Sequence, residues 1–131
     1  MYQDSELTGE IIGLAMKVHT SLGPGFKENI YQEALFRDLV DSNYKVEFEK
    51  EFDVIYKGSI IGMFRVDLLV EDRIIVELKA ISGELPIIFK TQVVSYLKAS
   101  NKEVGLLINF GNPSLDVKRF GNYENYYKKS V

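Results

Sequence analysis

The stretch Ile74-Ile75-Val76-Glu77-Leu78-Lys79-Ala80 constrains this chain more than any other. Three β-branched residues in a row, followed by leucine and alanine, read as a strand covered on both faces. A lone ionised carboxylate inside such a strand costs several kcal/mol unless something offsets it. Glu77 and Lys79 therefore either lie on a wet face or line a site. Residues two apart on a strand share a face, so Glu77 and Lys79 point the same way as Ile75, with Val76, Leu78 and Ala80 opposite.

Around this strand the hydrophobic pattern changes period. Residues 6 to 21 carry Leu7, Ile11, Leu14, Ala15 and Val18 at helical spacing, until Gly23-Pro24-Gly25 breaks the run. A second helix is expected from about Lys27 to Asp41. Extended segments follow at 45–56, 60–71 and 73–80, then a third helix from Ile87 to Ser100 and a last buried strand from Val104. The order reads α-α-β-β-β-β-α-β with a polar tail, an α/β (α+β) chain. With 131 residues there is room for one domain with a real core and not for two, so 1–131 is expected to be a single domain, peripheral from about 121.

Composition excludes several chemistries. The chain has no cysteine, hence no disulfide, thiolate zinc site or cysteine nucleophile. The opening residues are acidic where a signal peptide needs basic and apolar ones, and no apolar run approaches the roughly 20 residues that span a bilayer. The expectation is a cytoplasmic protein with no membrane contact. A net charge of −3 argues mildly against nucleic acid, although a filled metal site reverses the local field.

Asp67 is a second charge inside a strand-like run, in Arg65-Val66-Asp67-Leu68-Leu69-Val70. It lies opposite Glu77 only if paired residue numbers sum to 144. That demands an odd loop, for instance Glu71-Asp72-Arg73 with Val70 facing Ile74, and this register is the one expected here. Two facing carboxylates repel unless protonated or bridged by a cation. A hard ion such as Mg²⁺ takes one or two carboxylates together with waters and phosphate oxygens. Lys79, one strand step beyond, can hold an attacking water or steady developing negative charge. The cluster is what metal-assisted phosphodiester hydrolysis needs; the alternative is a solvated face bearing a Glu–Lys pair.

Two helices add candidates. Glu28, Tyr31, Leu35 and Leu39 form one stripe whose other members are apolar, so Glu28 enters with them, as a helix-capping acid or as a third acidic ligand or water holder. Gln92 and Tyr96, four apart on the third helix, can bond phosphate or orient the lysine, or can simply be surface; Val93, Val94 and Leu97 supply the packing side. His19 is the only histidine and reads as structural, with no serine motif to make a triad. The C-terminal Lys118–Lys129 stretch mixes basic and aromatic residues that could stack on bases or pack on the domain.

Gly25-x-x-Glu28-x-x-Tyr31 resembles the signature of the GxxExxY family, and the resemblance continues through the strands around Asp67 and Glu77, the Gln92–Lys98 segment and the strand from Val104. That family sits in the PD-(D/E)XK nuclease-like superfamily, which implies a restriction-endonuclease-like core with a mixed four- to five-stranded sheet between helices. It further implies that Asp67, Glu77 and the Leu78 backbone carbonyl bind Mg²⁺ or Mn²⁺, that Lys79 is catalytic, and that Glu28, Gln92 and Tyr96 complete the site. Val66 replaces the name-giving proline, and Phe89 stands where many members are expected to have histidine. The implied function is a nuclease acting on nucleic acid, DNA in preference, with a homodimer among the assemblies the resemblance allows. The rival reading is a non-catalytic nucleic-acid- or protein-binding module on the same fold.

Overall fold

The structure is a computed structural model and describes residues 4–122. Helices α1 (Ser5–Leu22) and α2 (Glu28–Asp41) precede strands β1 (Val46–Tyr56), β2 (Ser59–Val70) and β3 (Ile74–Lys79). Helix α3 (Ile87–Ser100) then leads to β4 (Val104–Asn109) and β5 (Asp116–Gly121). The expected order had four strands before the third helix; there are three, and among the described residues two follow it. A fifth strand occupies what read as polar tail, because Asp116–Gly121 is a half-buried edge strand with little apolar signal. The part of the tail from residue 123 lies outside the described residues.

The five strands form one mixed sheet in the order β1-β2-β3-β4-β5. Only β3 and β4 pair in parallel; the other neighbours are antiparallel. Such a parallel pair needs a crossover, and α3 is that crossover. The sheet divides the interior in two. On one face α1 and α2 pack Ile11, Tyr31, Leu35 and Leu39 onto Leu68, Val76, Leu78 and Leu106. On the other, α3 packs Val93 and Leu97 onto Leu69, Ile75 and Leu107. Val94, expected on the packing side of α3, is exposed. The central strands are therefore covered on both sides, which is why β3 and β4 carry apolar residues on both faces. Gly105 lets α3 lie close: a Cβ there would stand 2.8 Å from Val93 Cγ1.

The β2–β3 register is the expected one. Val70 pairs with Ile74, Leu69 with Ile75 and Leu68 with Val76, around a loop of Glu71, Asp72 and Arg73. Glu71 and Asp72 both adopt left-handed conformations, and the Glu71 carboxylate is held by the Lys45 amide at 2.6 Å.

Candidate active site

The site begins where β2 and β3 part. Ladder pairing between them ends at Leu68 and Val76, and beyond it side chains take over from backbone. Glu77 Oε2 accepts the Asp67 amide at 2.8 Å, and Asp67 Oδ2 accepts the Leu78 amide at 2.7 Å. Each carboxyl thus fills the place of a missing ladder carbonyl on the neighbouring strand. In a strand, the N–H and C=O of one residue point toward the same neighbour. The Leu78 carbonyl accordingly faces the same gap, while the Lys79 carbonyl faces β4 and accepts from the Phe110 amide at 2.8 Å.

The backbone turns Asp67 into that gap. Val66 belongs to the α3-side core and Leu68 to the α1/α2-side core, although they are two apart and should share a face. The strand therefore rotates at Asp67. Opposite it on β1, Glu49 has a φ of 53°, a left-handed conformation in mid-strand. Left-handed backbone at a non-glycine residue costs roughly 1–2 kcal/mol, so surrounding structure must hold it. Glu49 also adds its charge to the field at Asp67 and is itself paired with Arg65 at 3.3 Å.

Burial sets the electrostatics. The Glu77 carboxyl is pushed up to about 8, first by desolvation and next by the charge of Asp67. Asp67 is raised as well, mainly by desolvation, against the lowering effect of its bonds to Leu78 and Glu77. At neutral pH the pair holds a proton in the place where a cation would otherwise balance it. Glu28, the first residue of α2, is partly buried and also raised, chiefly by desolvation, with Lys79 opposing and Asp67 adding. The residue before it, Lys27, gives α2 no side-chain cap. Tyr96 on α3 is raised by desolvation and then by Glu77 and Asp67, and its ring stacks on Phe64 at 4.4 Å between centroids.

The sequence-expected residues therefore converge from four elements, β2, β3, α2 and α3. Asp67, Glu77, Leu78 and Lys79 meet at the strand gap, Glu28 approaches from α2, and Tyr96 approaches from α3. Gln92, partly buried one turn before Tyr96, lies on the same stripe of α3 and makes no hydrogen bond among the described residues. Glu28 is not a third member of a tight ligand group: among the described residues no three His, Asp or Glu side chains are grouped to hold an ion. Two carboxylates and a carbonyl, with other positions left to water and phosphate, still fit a hard divalent cation. His19 plays no part here; its Nε2 meets the Asn112 carbonyl at 2.8 Å.

Three contributors were not read from the sequence. Gln32 donates from Nε2 to the Asp67 carbonyl at 3.2 Å, and its place four residues after Glu28 was the available signal. Glu49 gave none, because nothing in its neighbours announces a left-handed residue. Tyr31, read as core, also clamps the preceding loop: its hydroxyl donates to the Gly23 carbonyl and accepts from the Phe26 amide.

A family model described as the PD-(D/E)XK nuclease superfamily matches residues 5–120. No curated protein matches the chain. Among solved structures, SSO0001 superposes with a TM-score of 0.56 at 23% identity, over 71% of this chain and 48% of that one. The chain thus spans about half the length of SSO0001. An alkaline exonuclease from Laribacter hongkongensis superposes with a TM-score of 0.54 at 11% identity, over 98% of this chain and 76% of the exonuclease. At these identities the likeness is one of fold.

Proposed function

The chain belongs to the PD-(D/E)XK nuclease superfamily, and from that premise we propose that it is a metal-dependent nuclease hydrolysing phosphodiester bonds of nucleic acid, DNA in preference. Its Gly25-x-x-Glu28-x-x-Tyr31 motif supports placing it in the GxxExxY branch. The observation that carries the reading is the reciprocal lock of Asp67 and Glu77 across the strand gap, with Lys79 one step further on the same face. Such a buried acid pair is costly for stability, and acids perturbed by burial and by each other gather at sites that handle a cation or a substrate. Among the described residues no helix is long and apolar enough to cross a membrane.

Asp67, Glu77 and the Leu78 carbonyl would hold Mg²⁺ or Mn²⁺. When bound, the ion supplies Lewis-acid polarisation of the phosphoryl group. The remaining work falls to the chain. Lys79 orients the attacking water and offsets negative charge growing on the phosphate. Glu28, reaching the others only electrostatically, supports the shell through water. Tyr96 keeps its phenol proton, since its titration is shifted upward, and so remains a donor to phosphate oxygens. Gln92 offers an uncommitted amide beside it.

Purified protein incubated with single-stranded, duplex and branched DNA and with RNA is expected to cleave in Mg²⁺ or Mn²⁺ and to stop in EDTA. Asp67→Ala should lower the rate on the order of a hundredfold or more. Cleavage that persists in EDTA, or in Asp67→Ala, excludes this mechanism. Calorimetric titration with Mn²⁺ separates the binding-module alternative, which predicts no ion uptake dependent on those carboxylates.

A further inference from the structure

Lys79 leaves β3 partly buried, within the field of three acids, Glu28, Asp67 and Glu77. A lysine on a flexible four-carbon stem should collapse onto one of them as a direct ion pair. Among the described residues it does not. Its Nζ instead lies over the ring of Phe89, 4.3 Å from the centroid. We propose that Phe89 is the positioning residue for Lys79, an aromatic seat that holds the ammonium off the carboxylates and aimed at the substrate phosphate. The ring's negative face attracts the cation without competing for its hydrogens, which stay free to donate to water or phosphate.

The placement of Phe89 suits that task. It lies in the first turn of α3, where its amide bonds the Pro86 carbonyl at 3.1 Å, and it packs against the α3-side core. Phe89, Gln92 and Tyr96 fall at i, i+3 and i+7, one stripe of the helix. The stripe thus gives the site a seat, an amide and a phenol in order. Were Lys79 to fall between Asp67 and Glu77, it would occupy the very place a divalent ion needs. This inference rests on the reading of Lys79 as the group that faces the reacting phosphate.

Two measurements test it. In protein labelled with ¹³C at lysine Cε, the Lys79 signal, assigned through Lys79→Arg, is expected to carry an upfield ring-current displacement. Phe89→Tyr should keep that displacement and Phe89→Leu should abolish it. In cleavage assays Phe89→Leu should lower kcat roughly three- to thirtyfold with KM within about twofold, while Phe89→Tyr stays near the wild type. An undisplaced Lys79 signal in the wild type overturns the seat. So does Phe89→Leu that loses kcat while keeping the displacement, or that loses the displacement at unchanged kcat. A wild type that cleaves nothing overturns the nuclease reading alone, because the spectrum judges the contact without catalysis.

Discussion

Glu77 shows what a single residue can be asked to carry. Its carboxyl is buried, shares its surroundings with Asp67, and titrates near 8 in place of its ordinary value of 4.5. The folded chain therefore keeps a proton across a pH range in which the unfolded chain has lost it. For a group raised on folding, its contribution is full below the unfolded value and is lost as pH rises toward the folded one. Metal-free protein should thus lose stability between about pH 5 and 8, by at most roughly 1.4 kcal/mol per pH unit from this group. Urea midpoints in EDTA across that range measure it, and Glu77→Gln, which cannot titrate, should flatten the slope. Added Mn²⁺ should reverse the trend, since ion uptake must displace the same proton. A slope unchanged by Glu77→Gln would show that the buried proton resides elsewhere.

At the scale of elements, the start of α2 depends on one hydroxyl. Tyr31 is fully buried, stacks on Phe110 at 4.6 Å, and ties both Gly23 and Phe26 in the loop that aims Glu28 at the site. Tyr31→Phe keeps the stacking and strands two loop groups, so a loss of about 1–3 kcal/mol is expected by chemical denaturation. Cleavage should fall with it as Glu28 drifts, a change to be read under conditions where both proteins remain folded. The exit of β3 is held as firmly. Asn109 clasps Ile81 through its amide N–H and carbonyl, with Oδ1 at 2.9 Å and Nδ2 at 2.9 Å, and Asn112 clasps Gly83 likewise at 2.7 and 2.9 Å. Gly111 lies so close that an added Cβ would meet the Ile81 nitrogen at 2.3 Å. Gly111→Ala should therefore cost about 3 kcal/mol, measured by thermal or urea unfolding, because backbone and not a movable side chain is in the way. A near-neutral Gly111→Ala would mean that this connection is free to shift. None of these clasps was visible in the sequence, since an asparagine that holds a backbone 28 residues away has no local signature.

Across the whole molecule, what could be read in advance was what repeats. The helices declared themselves by period, and β3 and β4 by apolar runs that only a doubly covered strand can carry. The Asp67–Glu77 register followed from loop parity together with two misplaced charges. What escaped was non-repeating: the edge strand β5, the left-handed Glu49, and the seat under Lys79, each fixed by tertiary neighbours. The same contrast governs stability. β1 and β2 are 11 and 12 residues long, yet β3 pairs only with Leu68–Val70 of β2. Their distal parts consequently run on as a two-stranded ribbon, interrupted by a bulge at Val54/Ile55 and exposing Ile55, Ile60, Ile61 and Met63. A two-stranded ribbon without a third strand or a covered face is marginal in water. Amides of Ile55 and Ile60 should then exchange through local opening, far faster than those of Ile75, Val76 and Leu107, which need global unfolding. Native-state hydrogen exchange followed by NMR tests this residue by residue. Because β2 also carries Asp67, ribbon opening that stops short of Val66 would leave the site standing, whereas equal protection along all of β2 would show that the ribbon and the site open as one unit.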